Sequence, residues 1–346
     1  MSLASALRSR DVAELPSRRD ENWRWSDLRG LLRVLPPASP QVAPPQSPGP
    51  FAAAADASVA IVNGRPCTSV GVLKVPEHGA RTVALRFISA SAETSHGASV
   101  QIDVGAGGSL TLLESHEGQA AGYVADAELD IVLGQGARME RIVLADDDAG
   151  AVSVSIAQVS LGAGASYGQT VLTGGARRQR IETRVVHPGE HAQLRLDGAY
   201  LLARARHADL TSVVTHAGVD GTTSQLAKGV VRDQARGVFQ GRIVVTQGAD
   251  RTDAKMGHHA LILSDRAEVD AKPELEIFAD DVSCAHGNTV GALDEDALFY
   301  ARQRGMPEAL ARTLLTQAFV GEVIDRIEHQ GAREVARAWV AARLEG

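Results

Sequence analysis

One short turn recurs along the middle of the chain, and it constrains the fold more than any other feature. Val104-Gly-Ala-Gly-Gly-Ser-Leu110, Leu133-Gly-Gln-Gly-Ala-Arg-Met139 and Leu161-Gly-Ala-Gly-Ala-Ser-Tyr167 share one form: apolar, Gly, any residue, Gly, small, polar, large. Val186-His-Pro-Gly-Glu-His-Ala192 is a looser copy, and the four starts lie 29, 28 and 25 residues apart. A repeat of that length cannot bury its own apolar face, so it must stack on its neighbours as a solenoid. Each Gly-x-Gly permits a positive-φ corner between one strand and the next. The strands between the corners alternate polar with apolar, as in Ser99-Val-Gln-Ile-Asp-Val104 and Ala151-Val-Ser-Val-Ser-Ile156, so one face of each is buried.

Composition agrees. The chain has 346 residues with 34 Gly, and only 4% Phe, Trp and Tyr, so its core must be filled by Val, Leu, Ile and Ala. Residues 1–35 read as a small helical segment whose densest part is Glu21-Asn-Trp-Arg-Trp-Ser-Asp-Leu-Arg-Gly-Leu-Leu32. Seven Pro in the fifteen residues Pro36 to Pro50 leave too few backbone donors for helix or sheet, so residues 36–52 form an extended linker. The solenoid is expected over 53–292 and a helical domain over 293–346. Asp294 can cap a helix that Gly305 stops, and Pro307 opens the next. In that second helix Leu310, Leu314, Ala318, Phe319, Val323 and Ile327 make an apolar stripe. A third, about Arg333 to Leu344, carries Val335, Trp339 and Ala342. These helices fit either a cap on the solenoid or a docking surface.

Several functions are disfavoured. A net charge of −7 argues against general nucleic-acid binding. No apolar run approaches the ~18 residues of a membrane helix, and the first residues lack a secretory pattern, so a cytoplasmic setting is expected. Cys67 and Cys284 are too few for a disulfide framework or a closed cluster site within one chain. Gly162-Ala-Gly-Ala-Ser-Tyr-Gly168 is one residue too long for a dinucleotide fingerprint, and strands follow it where a helix is needed. The chain contains neither a Gly-x-x-x-x-Gly-Lys-Ser/Thr phosphate loop nor a Gly-x-Ser-x-Gly or His-Glu-x-x-His motif, and it reads as a non-enzyme.

Of the 11 His, most are scattered. His258 and His259 are neighbours, so on a strand they point to opposite faces and cannot share a metal. Cys284-Ala-His286 differs: alternate residues project from one face, giving a two-ligand half-site for a soft or borderline metal, to be completed from elsewhere. A buried Cys beside a hydrogen-bonded His is the plainer account of the same spacing. The nearby acids Glu274, Glu276, Asp280 and Asp281 read as solvated.

The segment around that pair resembles a known signature. Pro273-Glu-Leu-Glu-Ile-Phe-Ala-Asp-Asp-Val-Ser-Cys-Ala-His-Gly-Asn-Thr-Val-Gly-Ala-Leu-Asp-Glu-Asp-Ala-Leu-Phe-Tyr-Ala-Arg-Gln-Arg-Gly305 is similar to that of the SufB/SufD family of iron–sulfur cluster assembly proteins. Gly237-Val-Phe-Gln-Gly-Arg-Ile-Val-Val245, Leu261-Ile-Leu-Ser-Asp-Arg-Ala267 and Glu21-Asn-Trp-Arg-Trp support it. The similarity runs over roughly residues 205–330, and more weakly through the solenoid. Family SufB chains usually carry further cysteines before the signature; here Cys67 alone precedes Cys284, so the resemblance is to the SufD branch. It departs from that branch in a shorter N-terminal helical part, with the Pro-rich linker in its place.

The resemblance implies a right-handed parallel β-helix flanked by helical ends, which agrees with the repeat. It implies a scaffold in a complex with a SufB-like paralogue and a SufC-like ABC ATPase, and a homodimer when alone. Carried over by motif position, Cys284 and His286 fall at the paralogue interface, His286 being the iron-facing group. The ATPase is expected on the C-terminal helices, through Leu310, Leu314, Phe319 and Val323. No tightly bound cofactor is expected in the isolated chain, only transient iron or a cluster at the interface. Two other readings compete: a solenoid carbohydrate-active enzyme, which needs a row of acids or aromatics along one face, and a self-associating structural β-helix.

Overall fold

The computed structural model describes residues 1–67 and 72–344. It is mainly β: a ten-stranded and an eight-stranded sheet face each other, and the chain alternates between them coil after coil. Beyond the first turn, where Ala57–Val62 pairs antiparallel with Arg65–Pro66, neighbours within each sheet run parallel and from Val72–Val75 onward lie two strands apart in sequence, because the intervening strand in the other sheet is the crossover that a parallel pair requires. Register is held without slip. The side chains of Leu73, Ile102, Ile131, Val159, Val185, Val214, Ile243 and Leu275 stack as one ladder through eight coils. Each fully buried aliphatic side chain in such a ladder contributes about 1.5–3 kcal/mol. This is the solenoid that the repeat predicts.

The two glycines of each corner do different work. Gly164 has φ +65°, and a Cβ there would meet nothing within 4 Å, so backbone conformation alone favours glycine there. Gly162 needs no unusual φ, but its Cβ would sit 2.8 Å from the Gln135 backbone nitrogen of the preceding corner, so it permits close stacking. The fourth copy is built one residue longer. His191, at φ +57°, takes the left-handed position, because the strand Arg178–His187 runs on to His187.

The interior is not wholly apolar. Arg141 is fully buried and donates to both carboxylate oxygens of Glu114 at 2.8 and 2.9 Å, and to Gln169 at 2.9 Å. Burial alone would push the Glu114 carboxyl up; Arg141 and the His116 hydrogen bond overcome it and hold it at about 2.

Residues 1–35 are less helical than expected: α1 is Leu3–Ser9, and two single 3-10 turns follow. The segment holds its place by burial. Leu3, Ala6, Leu15, Trp23 and Leu28 pack against Val124, Val152 and Val154 of the eight-stranded sheet. The Glu21-Asn-Trp-Arg-Trp run has a structural use, since Trp23 lies under the Arg180 guanidinium (4.4 Å to the ring centroid) and the Asn22 and Trp25 carbonyls accept from Arg180 and Arg178. The Pro-rich stretch is extended and lies on the solenoid: the Ser39 N–H donates to the Ser95 carbonyl, and the Ser47 carbonyl accepts from Arg86.

Three C-terminal helices follow: α2 Glu295–Gln303, α3 Glu308–Ile324 and α4 Gln330–Leu344. Asp294 caps α2 through hydrogen bonds to the Asp296 and Ala297 N–H groups. Val320, Val323, Ile324, Ala336 and Val340 pack against Leu113, Ile142, Leu172, Leu201 and Val230 on the outer face of the ten-stranded sheet. The helices therefore flank the coils and do not cap the solenoid end.

Candidate functional site

Among the described residues the last coil has no successor. Val282–Gly291 is the terminal strand of the ten-stranded sheet and pairs only with Thr252–Ile262; Glu268–Ile277 ends the eight-stranded sheet and pairs only with Arg236–Val245. Pro273 is tolerated in the second of these because an edge strand can spare a donor.

Side-chain direction follows from register. In Thr252–Ile262 the even-numbered Ala254, Met256, His258 and Ala260 are buried. Cys284, His286 and Asn288 pair with Ala254, Met256 and His258, so they form the next layer on the inward face. With no further coil above them, Cys284 is half-buried and His286 exposed. The sequence-predicted pair is thus on one strand face, as its spacing requires, and that face opens at the end of the solenoid.

Backbone polarity repeats the pattern. The Asp253 N–H donates to the Gly221 carbonyl and the Leu263 N–H to that of Val231, so odd positions of this strand bond to the preceding coil and even positions to the last. By the same alternation, odd positions of Val282–Gly291 bond back to it. The N–H groups of Cys284, His286, Asn288 and Val290 consequently point to the free edge. Exposed Ile277, Phe278 (64%) and Val290 border it.

Beneath this layer lies a hydrogen-bonded column that the sequence did not reveal. The Asn288 side-chain oxygen is 2.7 Å from His258 Nδ1, and His258 Nε2 is 2.9 Å from the Tyr200 hydroxyl. The His258 ring stacks on Phe239 at 4.7 Å. Burial brings its pKa down to about 4, so it is neutral at physiological pH. His259 points the other way and meets Thr289, as expected of adjacent strand residues. Asn288 was accessible to sequence reasoning, because it continues the alternation from Cys284 and His286. Burial also raises the Cys284 thiol pKa, which disfavours a free thiolate. Among the described residues no three His, Cys, Asp or Glu side chains gather as a metal site; Cys284 and His286 offer two donors.

The four residues expected at an ATPase surface separate. Leu310 and Leu314 are exposed on α3 (48% and 42%). Val323 is fully buried, and Phe319 is half-buried, with Lys228 4.3 Å from its ring centroid. Exposed Phe299 and Tyr300 on α2, which packs against α3, were not singled out from sequence.

Comparison with known proteins places this architecture. Residues 87–319 match the family model "SUF system FeS cluster assembly, SufBD core domain". The iron–sulfur cluster assembly protein SufD of Escherichia coli (strain K12) is 35% identical over 182 residues, 52% of this chain and 43% of the relative. The SufBD family protein slr0076 of Synechocystis sp. is 31% identical over 214 residues, 62% of this chain and 47% of the relative. SufD of Bacillus subtilis is 31% identical over 126 residues, 36% of this chain and 29% of the relative. The aligned part spans less than half the length of these three relatives. With its β-solenoid, its open edge and a family match that covers most of its coils, the chain belongs to the SufB/SufD family, on the side of its SufD members.

Proposed function

We propose that this chain is a SufD-like, non-catalytic scaffold of iron–sulfur cluster assembly whose open solenoid end pairs with a SufB-like paralogue. The observation that carries the reading is the unstacked last layer, in which Cys284 and His286 lie beside a row of unpartnered N–H groups. A full-length free edge is a template for another chain's strand. Pairing there brings the paralogue's groups over the two donors, where iron or a nascent cluster, as cargo, needs more ligands than this chain supplies. When alone, a second copy can use the same edge, which supports a homodimer as the resting form. A SufC-like ATPase docks on the exposed apolar residues of α2 and α3. Two free cysteines suit a reducing, cytoplasmic setting, and no described helix is long and apolar enough to cross a membrane.

The test is affinity capture of the tagged chain with its co-expressed paralogue and ATPase. Co-elution of both at fixed stoichiometry, with no ATP hydrolysis by the chain alone, is the expected result. A chain that captures neither, or that turns over ATP or a glycan by itself, contradicts the reading.

A further inference from the structure

Away from the open end, α3, α4 and the ten-stranded sheet border a half-open cavity of about 400 Å³. Its floor is the C-terminal ends of four neighbouring strands and the turns that follow them. Five arginines line it, Arg204, Arg206, Arg232, Arg312 and Arg343, and no carboxylate does. Two of the five are neutralised from outside: Arg312 pairs with Glu308 at 3.0 Å, and Arg343 pairs with Asp146. The other three make no ion pair among the described residues. Arg206 is held by backbone carbonyls, donating to Gly175 at 2.6 Å and Asp147 at 3.0 Å. The Asp233 carboxylate, outside the lining, accepts from the Arg204 backbone N–H.

The arrangement is fixed as well as positive. Arg343 packs on Trp339, its guanidinium carbon 3.9 Å from the ring centroid. A Cβ at Gly174 would sit 2.9 Å from the Arg343 Nε, so the glycine leaves room for the guanidinium against the turn. Burial lowers the Arg343 pKa, Asp146 opposes the shift, and the like charge of Arg206 adds to it. Like charges gathered in a half-enclosed space repel, and a bound anion removes that repulsion.

We propose that this cavity binds a small phosphate-bearing anion, seated between Arg206, Arg232 and Arg343. Guanidinium forks match phosphate oxygens in pairs. The volume lies at the small end of ligand pockets, roughly 300–1,000 Å³, enough for a pyrophosphate group and too small for a macromolecular segment. The site is separate from Cys284 and His286, and the proposal does not depend on the scaffold reading.

The probe is inorganic pyrophosphate, titrated calorimetrically into the full chain at constant ionic strength, with sodium chloride and inorganic phosphate as controls. Saturable 1:1 binding, tighter for pyrophosphate than for phosphate, is expected. Arg232→Gln and Arg206→Gln should each weaken it about tenfold or more, as removal of a charge-assisted donor pair does. Arg232→Gln is the cleaner variant, because Arg206 also ties two turns together; circular dichroism checks that both fold. Heat no larger than the chloride control, or affinity unchanged in a folded Arg232→Gln chain, overturns the proposal.

Discussion

At its first turns the ten-stranded sheet ends in Arg65–Pro66, a two-residue strand that runs antiparallel to Ala57–Val62. The eight-stranded sheet starts there with the four-residue Val72–Val75, and the Pro-rich segment bridges to Ser95 beside it. At the last turns both sheets end in strands of 10 residues, along whose outer edges no further strand pairs among the described residues. Short strands, proline and an overlying segment are how a sheet edge is protected from pairing. One end of this solenoid has all three, and the other has none beyond Pro273. The difference supports the proposal that the far end pairs with a partner.

The comparison breaks if the far end can be blunted without consequence. Val290→Pro removes an N–H that faces the free edge and leaves the ladder to Thr252–Ile262 intact. Capture of the paralogue should fall by at least about tenfold, the loss of one or two interface hydrogen bonds, with an unchanged β signal in circular dichroism. A second way to sharpen it moves to the flank. Leu314→Glu should abolish ATPase capture while paralogue capture persists, because a charge replaces an apolar anchor. Phe319→Glu is the poorer variant, since Phe319 packs on the solenoid and its loss destabilises the chain itself.

His286→Ala should give a complex of normal stoichiometry and thermal stability that holds little iron or acid-labile sulfide at every pH tested, with Cys284→Ser milder. Wild-type loading would leave His286 without a cargo role, and failure to assemble would make it an interface anchor.

The smallest effect separates the closed interior from the open layer by pH. The folded chain keeps His258 neutral down to about pH 4, whereas an unburied imidazole takes its proton near 6.5. The unfolded state therefore binds more protons in that window, so stability is fully present above about pH 6.5 and declines as pH falls towards 4. For one histidine the loss approaches roughly 3 kcal/mol. His96 contributes with the same sign, its pKa also brought to about 4 by burial. A melting temperature followed from pH 7 to 4 should fall, and less steeply in His258→Gln.

Much of this was legible in the sequence, for identifiable reasons. Glycine is the residue most at ease at a left-handed corner, so three of four corners fell in register, and the fourth did not because His191 adopts a left-handed φ without glycine. Helices α2 and α3 were legible from Asp294 and Pro307. What pattern could not show is what the patterned face meets. The stripe on α3 divides, Val323 going to the sheet and Leu310 and Leu314 to the surface, because only part of α3 lies over the coils. Arg141 and Glu114 were not singled out from sequence, and they satisfy each other inside. Cys284 and His286 were found by alternation; that their face opens to solvent depends on where the stacking stops.

Amide hydrogen exchange across Val282–Gly291 tests the central claim most directly. In the monomeric chain, the Cys284, His286, Asn288 and Val290 amides should exchange fast while those of Ser283, Ala285, Gly287 and Thr289 are protected. In the complex with the paralogue, the first set should become protected as well. Fast exchange that persists at those four positions in a fully formed complex would contradict pairing through this edge.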